Sequence, residues 1–216
     1  MKKLLKAAFA ASIILLAFLF FACQSKDRPV KIFLAGDSTV ADYSTDSDYL
    51  ETRYPSSGWG QFFQPFMQKD SLKKISIIRS DSAIVDNRSR GGRSTRVFFE
   101  EGRWRGIYKD LQPGDIVLIQ FGHNDGAETK HERYVDVRGY KEFLRLFVNQ
   151  TREKGGIPVL ITPVTRNFPW TDNVLGSAHG QYPDAMKDIA VEMNVHLIDL
   201  TKTSAELFTQ INLKLI

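Results

Sequence analysis

The run FLAGDSTVAD, residues 33–42, decides how this chain is read. From Val30 to Ala35 the sequence is compact and apolar, and it then stops at Gly36-Asp37-Ser38-Thr39, the pattern of a buried strand giving way to a polar turn. Ser38 has two readings. A serine or threonine after a strand ordinarily caps a following helix, its oxygen satisfying an orphan backbone N–H. A serine in the same place is also a candidate nucleophile, and four residues do not separate the two.

The same alternation repeats along the chain. Ser82 to Asn87 reads as the next strand, with Lys74 to Ser80 competing for that place, and Gly91-Gly92 breaks the chain before a helical stretch from about Ser94. Residues Leu111 to Asp115 form a turn, and Ile116 to Phe121 is a strand of branched residues ending at Gly122-His123-Asn124-Asp125. Tyr140, Phe143, Leu144, Phe147 and Val148 share one helical face, and Gly155-Gly156 ends that helix before a strand from Ile157 to Thr162. Tyr182, Met186, Ile189, Ala190 and Met193 mark a second amphipathic helix, followed by a strand from Val195 to Leu200. The aromatic segment Gln61 to Gln68 reads as helical, and residues 129–138, TKHERYVDVR, as a solvated loop. Uniformly apolar strands alternating with helices predict an α/β domain built on a parallel sheet of about five strands, covered on both faces.

The formal charge of the 216 residues is +4, but Lys2, Lys3 and Lys6 lie in an N-terminal segment without acidic residues, leaving +1 on the domain. So balanced a domain, without a long Lys/Arg block, gives no electrostatic reason for a nucleic-acid partner. The N-terminal segment has a lysine-bearing start and an apolar stretch from Ala7 to Ala22, short for a membrane span. Cys23, the one cysteine, follows directly, so neither a disulfide nor a cysteine-clustered metal is expected. The pattern resembles a bacterial lipoprotein signal: residues 1–22 would be the signal peptide, Cys23 the acylated mature N-terminus, and residues 23–29 a polar tether ahead of a domain at 30–216. The alternative is an ordinary cleaved signal with an incidental cysteine. On either reading the domain is exported, held to the cell-envelope membrane by a lipid or secreted, and is expected to be monomeric.

In an open parallel sheet, ligands bind beyond the carboxyl ends of the strands. The residues expected there are Asp37-Ser38, Gly91-Gly92-Arg93-Ser94, Gly122-His123-Asn124-Asp125 and the loop from Thr165 to His179. Residue types suited to acyl transfer gather on that edge, which favours the nucleophilic reading of Ser38. Each neighbour also has a plainer reading. Gly92, or Gly91 beside it, is a turn glycine; Asn124 is an Asx-turn or cap; Asp37 orients its loop; His123 is a structural hydrogen-bonder. Arg93 and Arg96 meet either an acidic polysaccharide or only solvent. Trp59, Trp104 and Trp170 either stack on sugars or are buried.

GDST at residues 36–39, the glycine of RGGRST placed at Gly92, and FGHND at 121–125 resemble, in that order, the blocks of the SGNH or GDSL hydrolase superfamily. NRSRGGRSTRVFFEEGRW, LQPGDIVLIQFGHND, GGIPVLITPVTR and YPDAMKDIAVEMNVHLIDL resemble the rhamnogalacturonan acetylesterase branch, carbohydrate esterase family 12, and the likeness runs from about Val30 to Leu200. It implies a three-layer α/β/α, flavodoxin-like sandwich that needs no metal or organic cofactor and removes acetyl groups from pectic rhamnogalacturonan, an acetylated polysaccharide, through an acetyl-serine. Xylan, a sialate or a lipid ester are the rival substrates. The resemblance makes Ser38 the nucleophile and gives the oxyanion hole to the N–H of Ser38, the N–H of Gly92 and the side-chain amide of Asn124. The physical need is clear: a serine hydroxyl attacks only when a base takes its proton, and the tetrahedral intermediate puts negative charge on the former carbonyl oxygen.

One block of the superfamily has no counterpart. Its base comes from a late Asp-x-x-His, and this sequence contains none; its histidines are His123, His131, His179 and His196. Three readings stay open. The domain is C-terminally incomplete relative to an active ancestor, with weak or lost activity and an uncovered sheet edge; or it is a non-catalytic lipoprotein that binds acetylated glycan; or His179 substitutes for the missing base.

Overall fold

In a computed structural model, residues 28–215 are described, with side chains through residue 211. Residues 1–22, read from the sequence as a signal peptide, and Cys23 lie outside the described residues. Strand β1 (Val30–Gly36) runs parallel to β2 (Ala83–Asn87) on one side and to β3 (Ile116–Gln120) on the other. Strand β4 (Ile157–Ile161) follows β3, and β7 (His196–Ile198) closes the far edge, so the spatial order is β2-β1-β3-β4-β7 with every neighbour parallel. This is the five-stranded parallel sheet expected from the sequence, in the flavodoxin-like order. A hairpin, β5 (Trp170–Thr171) and β6 (Val174–Leu175), stands apart in the loop after β4, and a one-turn helix, α1 (Tyr49–Thr52), lies in the loop after β1.

Successive side chains of a strand point to opposite faces, and both faces here are apolar. Phe33, Ala35, Val117, Ile119 and Leu160 point to one side. They meet α4 (Arg103–Asp110) through Trp104 and Ile107, α5 (Val137–Glu153) through Leu144 and Phe147, and α6 (Tyr182–Glu192) through Met186 and Ile189. Ile32, Leu34, Ile116, Val159 and Ile161 point to the other, where Val40, Trp59, Phe63, Leu72 and Leu200 cover them. Leu72 belongs to the one-turn helix α2 (Lys69–Leu72), and Leu200 opens α7 (Leu200–Leu215). The result is three layers, and the sheet's carboxyl edge is left to the loops.

Three local expectations need correction. Gln61 to Gln68 is not one helix but two short 3₁₀ turns, Trp59–Phe62 and Gln64–Phe66, because Pro65 lacks the N–H that a continuing helix requires. Leu200 starts α7 rather than ending a strand, since β7 is only three residues long. The loop at 129–138 is only partly solvated: Val135 is buried and its carbonyl accepts a hydrogen bond from the Tyr182 hydroxyl at 2.6 Å.

The two edges of the sheet differ. At β2 the Gln64 side-chain amide donates to the Ala83 carbonyl (3.1 Å) and accepts from the Val85 N–H (2.7 Å), so one residue imitates the missing strand. At β7, Leu197 and Ile198 stay 37% and 48% exposed.

Candidate active site

The turn after β1 is built by Asp37, not by Ser38. Asp37 Oδ1 accepts from the N–H of Thr39 (2.9 Å) and from its hydroxyl (2.8 Å), and the Asp37 carbonyl accepts from the N–H groups of Val40 and Ala41. No helix follows directly, so Ser38 caps nothing. Its side chain is half-buried, and neither its hydroxyl nor its backbone N–H is paired within the described residues. Gln120, at the end of β3, fixes the same turn by donating to Thr39 Oγ1 (2.6 Å) while its carbonyl oxygen accepts from Trp59 Nε1 (2.9 Å).

The loop after β2 lies against this turn. Asn87 Nδ2 donates to the Val40 carbonyl (2.8 Å), and the Arg90 N–H donates to the Gly36 carbonyl (3.1 Å). The two glycines have different reasons to be glycine. A Cβ on Gly91 would collide with the Tyr43 hydroxyl and stand 3.6 Å from Ser38 Cβ, so this glycine permits a close approach. Gly92 has φ +80°, a left-handed conformation that side chains rarely adopt, and its N–H is also unpaired within the described residues. Ser94 caps α3 (Thr95–Glu100) by accepting from the Val97 N–H.

The third loop is locked to the second. Asn124, 9% exposed, donates one amide hydrogen to the Arg93 carbonyl at 3.0 Å, which leaves the other unused. Asp125 is wholly buried, and its carboxylate accepts from Thr95 N–H (2.9 Å), the Thr95 hydroxyl (2.6 Å) and the Gly122 N–H (3.1 Å). Burial nevertheless pushes its carboxyl up to about 7.

A polar cluster underlies the serine turn. Asp37 Oδ2 is buried and stands 3.6 Å from His123 Nδ1, which is also buried, and neither atom has a hydrogen-bond partner among the described residues. The His123 ring packs edge-on against His179 at 4.2 Å, and His179 Nε2 lies 2.9 Å from the Val164 carbonyl. Arg166 donates to the His123 carbonyl at 3.3 Å. Burial pushes Asp37 up to about 6 and is the main force holding both imidazoles down at about 4, with nearby Arg166 adding to the effect. His196 begins β7 at the opposite end of the sheet, and His131 sits in an exposed loop.

The fold thus brings Ser38, Gly92, Asn124 and His179 to one edge, as the sequence suggested. It gives the arginines named from sequence to internal partners: Arg93 pairs with Glu101 and the Gly91 carbonyl, and Arg96 with Glu100 and the carbonyls of His131 and Tyr134. Trp104 is buried in the core, while Trp59 and Trp170 are half-buried. Asp37 is the residue that sequence reasoning undervalued, although it lay inside the quoted motif, and Tyr43, whose buried hydroxyl lies against Gly91, is one that it did not name. Among the described residues, no group of three or more His, Cys, Asp or Glu is arranged to hold a metal ion, and no helix is long and apolar enough to cross a membrane.

Comparison with known proteins identifies the family of the chain. A probable rhamnogalacturonan acetylesterase, YesY, of Bacillus subtilis (strain 168) is 39% identical over 180 residues, which cover 83% of this chain and 74% of that protein. The rhamnogalacturonan acetylesterase RhgT of the same organism is 38% identical over 181 residues, 84% of this chain and 69% of that one. The crystal structure of YxiM from Bacillus subtilis superposes with a TM-score of 0.69 at 28% identity, over 85% of this chain; the chain spans about half of that structure's length, 47%. The crystal structure of Axe2, an acetylxylan esterase from Geobacillus stearothermophilus, covers 87% of this chain and 81% of its own with a TM-score of 0.58, and at 20% identity that likeness concerns the fold. Residues 34–214 match the GDSL-like Lipase/Acylhydrolase family, so the chain belongs to that family and is, by lineage, an esterase of the SGNH type.

Proposed function

We propose that this chain removes acetyl groups from rhamnogalacturonan, with Ser38 as the nucleophile and the Ser38 N–H, the Gly92 N–H and the Asn124 amide receiving the oxyanion. Ser38 Oγ bonds to the acetyl carbon, the bond from that carbon to the sugar oxygen breaks with a proton passing to the sugar, and water later frees acetate from the serine. The observation that carries the reading is the set of unpaired donors: three loops on one edge present a free serine hydroxyl, two backbone N–H groups and one amide hydrogen with no acceptor of their own among the described residues. The names of YesY and RhgT support the polymer. The described imidazoles do not complete a triad, because neither is hydrogen-bonded to Ser38: His179 Nε2 is taken by the Val164 carbonyl, and His123 faces Asp37 without contacting the serine. The acceleration available to these residues is that of oxyanion stabilisation and binding, roughly 10³–10⁴-fold over water. Export with acylation of Cys23 is part of the same proposal, and it rests on the sequence of residues 1–29; labelling with a radioactive fatty acid in Cys23→Ala and native cells tests it.

The test is intact-protein mass spectrometry during turnover of p-nitrophenyl acetate, with Ser38→Ala as the blank. An acetyl adduct that appears and clears with product release supports the proposal. A folded chain with no Ser38-dependent adduct overturns it, and glycan binding retained by that chain would make it a binding protein instead.

A further inference from the structure

The loop between Asn124 and α5 carries a cation to the oxyanion edge. Chain neighbours aside, Arg133 Nη1 is the one heavy atom of the described residues within 4 Å of where a Gly92 Cβ would stand, at 3.4 Å. The preceding glycine, Gly91, faces the serine in the same way, its Cβ position lying 3.6 Å from Ser38 Cβ. The guanidinium and the serine therefore flank the same pair of glycines. Arg133 is held there from two sides. On α3, Arg96 Nη2 donates to the carbonyls of His131 (3.0 Å) and Tyr134 (3.3 Å), which bracket Arg133. The Arg133 N–H donates to the Lys130 carbonyl (3.0 Å), and the Val135 N–H to the carbonyl of Asp125 (3.0 Å), the residue after Asn124. The segments that supply the Gly92 and Asn124 donors thus position Arg133 as well.

Unlike the arginines around it, Arg133 has no internal acceptor. Arg90 pairs with Asp46, Arg93 with Glu101, Arg96 with Glu100 and two carbonyls, and Arg166 donates to the His123 carbonyl. The Arg133 side chain makes no hydrogen bond among the described residues, and its Nε is buried without a partner. Glu132 Oε1 stands 3.9 Å from that Nε, beyond hydrogen-bond reach and on a side chain 71% exposed, where water screens the charge. A largely buried guanidinium with so weak a counter-charge is costly unless a ligand brings the acceptor. The side chain is 22% exposed, and with Nε enclosed the Nη groups are the donors left for that ligand.

We propose that Arg133 and the Gly92 N–H form one anion site, which makes Arg133 a further catalytic residue that stabilises the oxyanion and then meets the acetate product. The inference rests on the esterase reading and deepens it. As Ser38 Oγ bonds to the acetyl carbon, the carbonyl π pair moves onto the oxygen, and a fixed positive charge beside it favours the transition state over the neutral ester. The pair returns when the bond to the sugar oxygen breaks. Arg133 transfers no proton, because a guanidinium stays charged at any working pH.

The experiment is single-turnover acetylation of Ser38 by p-nitrophenyl acetate in the native chain, Arg133→Gln and Arg133→Lys. This ester is uncharged, so a change reports the oxyanion and not recognition of an anionic glycan. Arg133→Gln is expected to lower the maximal acetylation rate by roughly 10–10²-fold while the half-saturating ester concentration stays within about threefold. Arg133→Lys, which keeps the charge, should recover part of the rate. The melting temperature should hold or rise, because the substitution removes a poorly compensated charge. A rate within about threefold of native in Arg133→Gln, or no recovery in Arg133→Lys, overturns the inference and leaves the esterase reading standing. Binding of carbon-13-labelled acetate to Ser38→Ala, followed by NMR titration, separates the two claims. Adding Arg133→Gln to that variant should weaken acetate by about fivefold or more, and an unchanged affinity overturns the site. A chain that forms no acetyl-Ser38 but binds acetate through Arg133 loses the esterase reading and keeps the anion site; one that does neither loses both.

Discussion

Asp37 Oδ2 stands 3.6 Å from His123 Nδ1, and neither atom has a hydrogen-bond partner among the described residues. The two residues come from the turns after adjacent strands, β1 and β3, so the contact joins the loop that carries Ser38 to the loop that carries Asn124. Two buried groups facing each other in this way are each most stable uncharged. Burial moves both toward that state, raising Asp37 to about 6 and lowering His123 to about 4.

The pH dependence of stability follows from the signs. Between about pH 4 and 6 the folded chain holds a proton on Asp37 that the unfolded chain has released, so the aspartate's contribution to stability falls as pH rises through that window. His123 and His179 act oppositely, because the unfolded chain binds protons there that the folded chain does not, and their contribution rises from about pH 4 to 6.5. Asp125, raised to about 7, acts in the same sense as Asp37, so two falling contributions oppose two rising ones and the native chain should show a shallow net slope over this range. Asp37→Asn keeps an acceptor for Thr39 and removes the ionisable group. It should match the native chain near pH 4 and gain on the order of 2–3 kcal/mol over it by pH 7. Urea unfolding at a series of pH values reads the difference directly, and a variant that is no more stable at pH 7 than at pH 4, relative to native, would refute the assignment.

The two neighbouring glycines should fail differently. Gly91→Ala drives a methyl group into the Tyr43 hydroxyl beside Ser38, and overpacking of that kind costs about 1–3 kcal/mol. Because the clash lies beside the serine, acetylation of Ser38 should fall along with stability. Gly92→Ala meets only Arg133 Nη1 at 3.4 Å, so its cost is that of a left-handed alanine, roughly 1–2 kcal/mol. Thermal melts of both variants, paired with adduct formation, test the ordering: equal loss of acetylation in the two would count against it.

How far the sequence can be read depends on whether a signal is periodic. Strands β1, β3 and β4 are buried on both faces, so each is a continuous apolar run and stands out by composition. The competition between residues 74–80 and 82–87 was undecidable that way. Ile77 and Ile78 pack on the core from a turn, whereas β2 shows one buried residue, Ala83, followed by less buried ones. The placement of Ser38, Gly92 and Asn124 together was legible because an all-parallel sheet puts all the strand ends on one edge. The Asp37–His123 contact was not, because it joins side chains from separate loops and no spacing rule encodes such a meeting.

Asn124 ties the third loop to the second through the Arg93 carbonyl, so its truncation has two consequences. Asn124→Ala leaves that carbonyl short of a donor, a loss of about 1 kcal/mol, and deletes a donor at the proposed oxyanion position. Loss of one such donor lowers acyl transfer by roughly 10²–10³-fold. The rate of Ser38 acetylation, measured under single-turnover conditions, should fall much further than the melting temperature would account for. A rate within about threefold of native would take Asn124 out of the oxyanion hole.

His179 is the imidazole that could stand in for a triad histidine, and its surroundings argue against that role. The ring is 5% exposed, its Nε2 is engaged by the Val164 carbonyl, and its face meets His123. Burial holds it down at about 4, well below an ordinary imidazole, and a base that weak has little drive to accept a serine proton near neutral pH. His179→Gln retains a donor for the Val164 carbonyl and should therefore fold, at a cost of about 1–2 kcal/mol for the lost ring packing. Its acetylation rate should stay within about threefold of native, with no change in the shape of the pH–rate profile. A fall of roughly 10³-fold or more in a variant that melts cooperatively would show instead that His179 takes the proton, and the Val164 contact would then be read as the bond that fixes its tautomer.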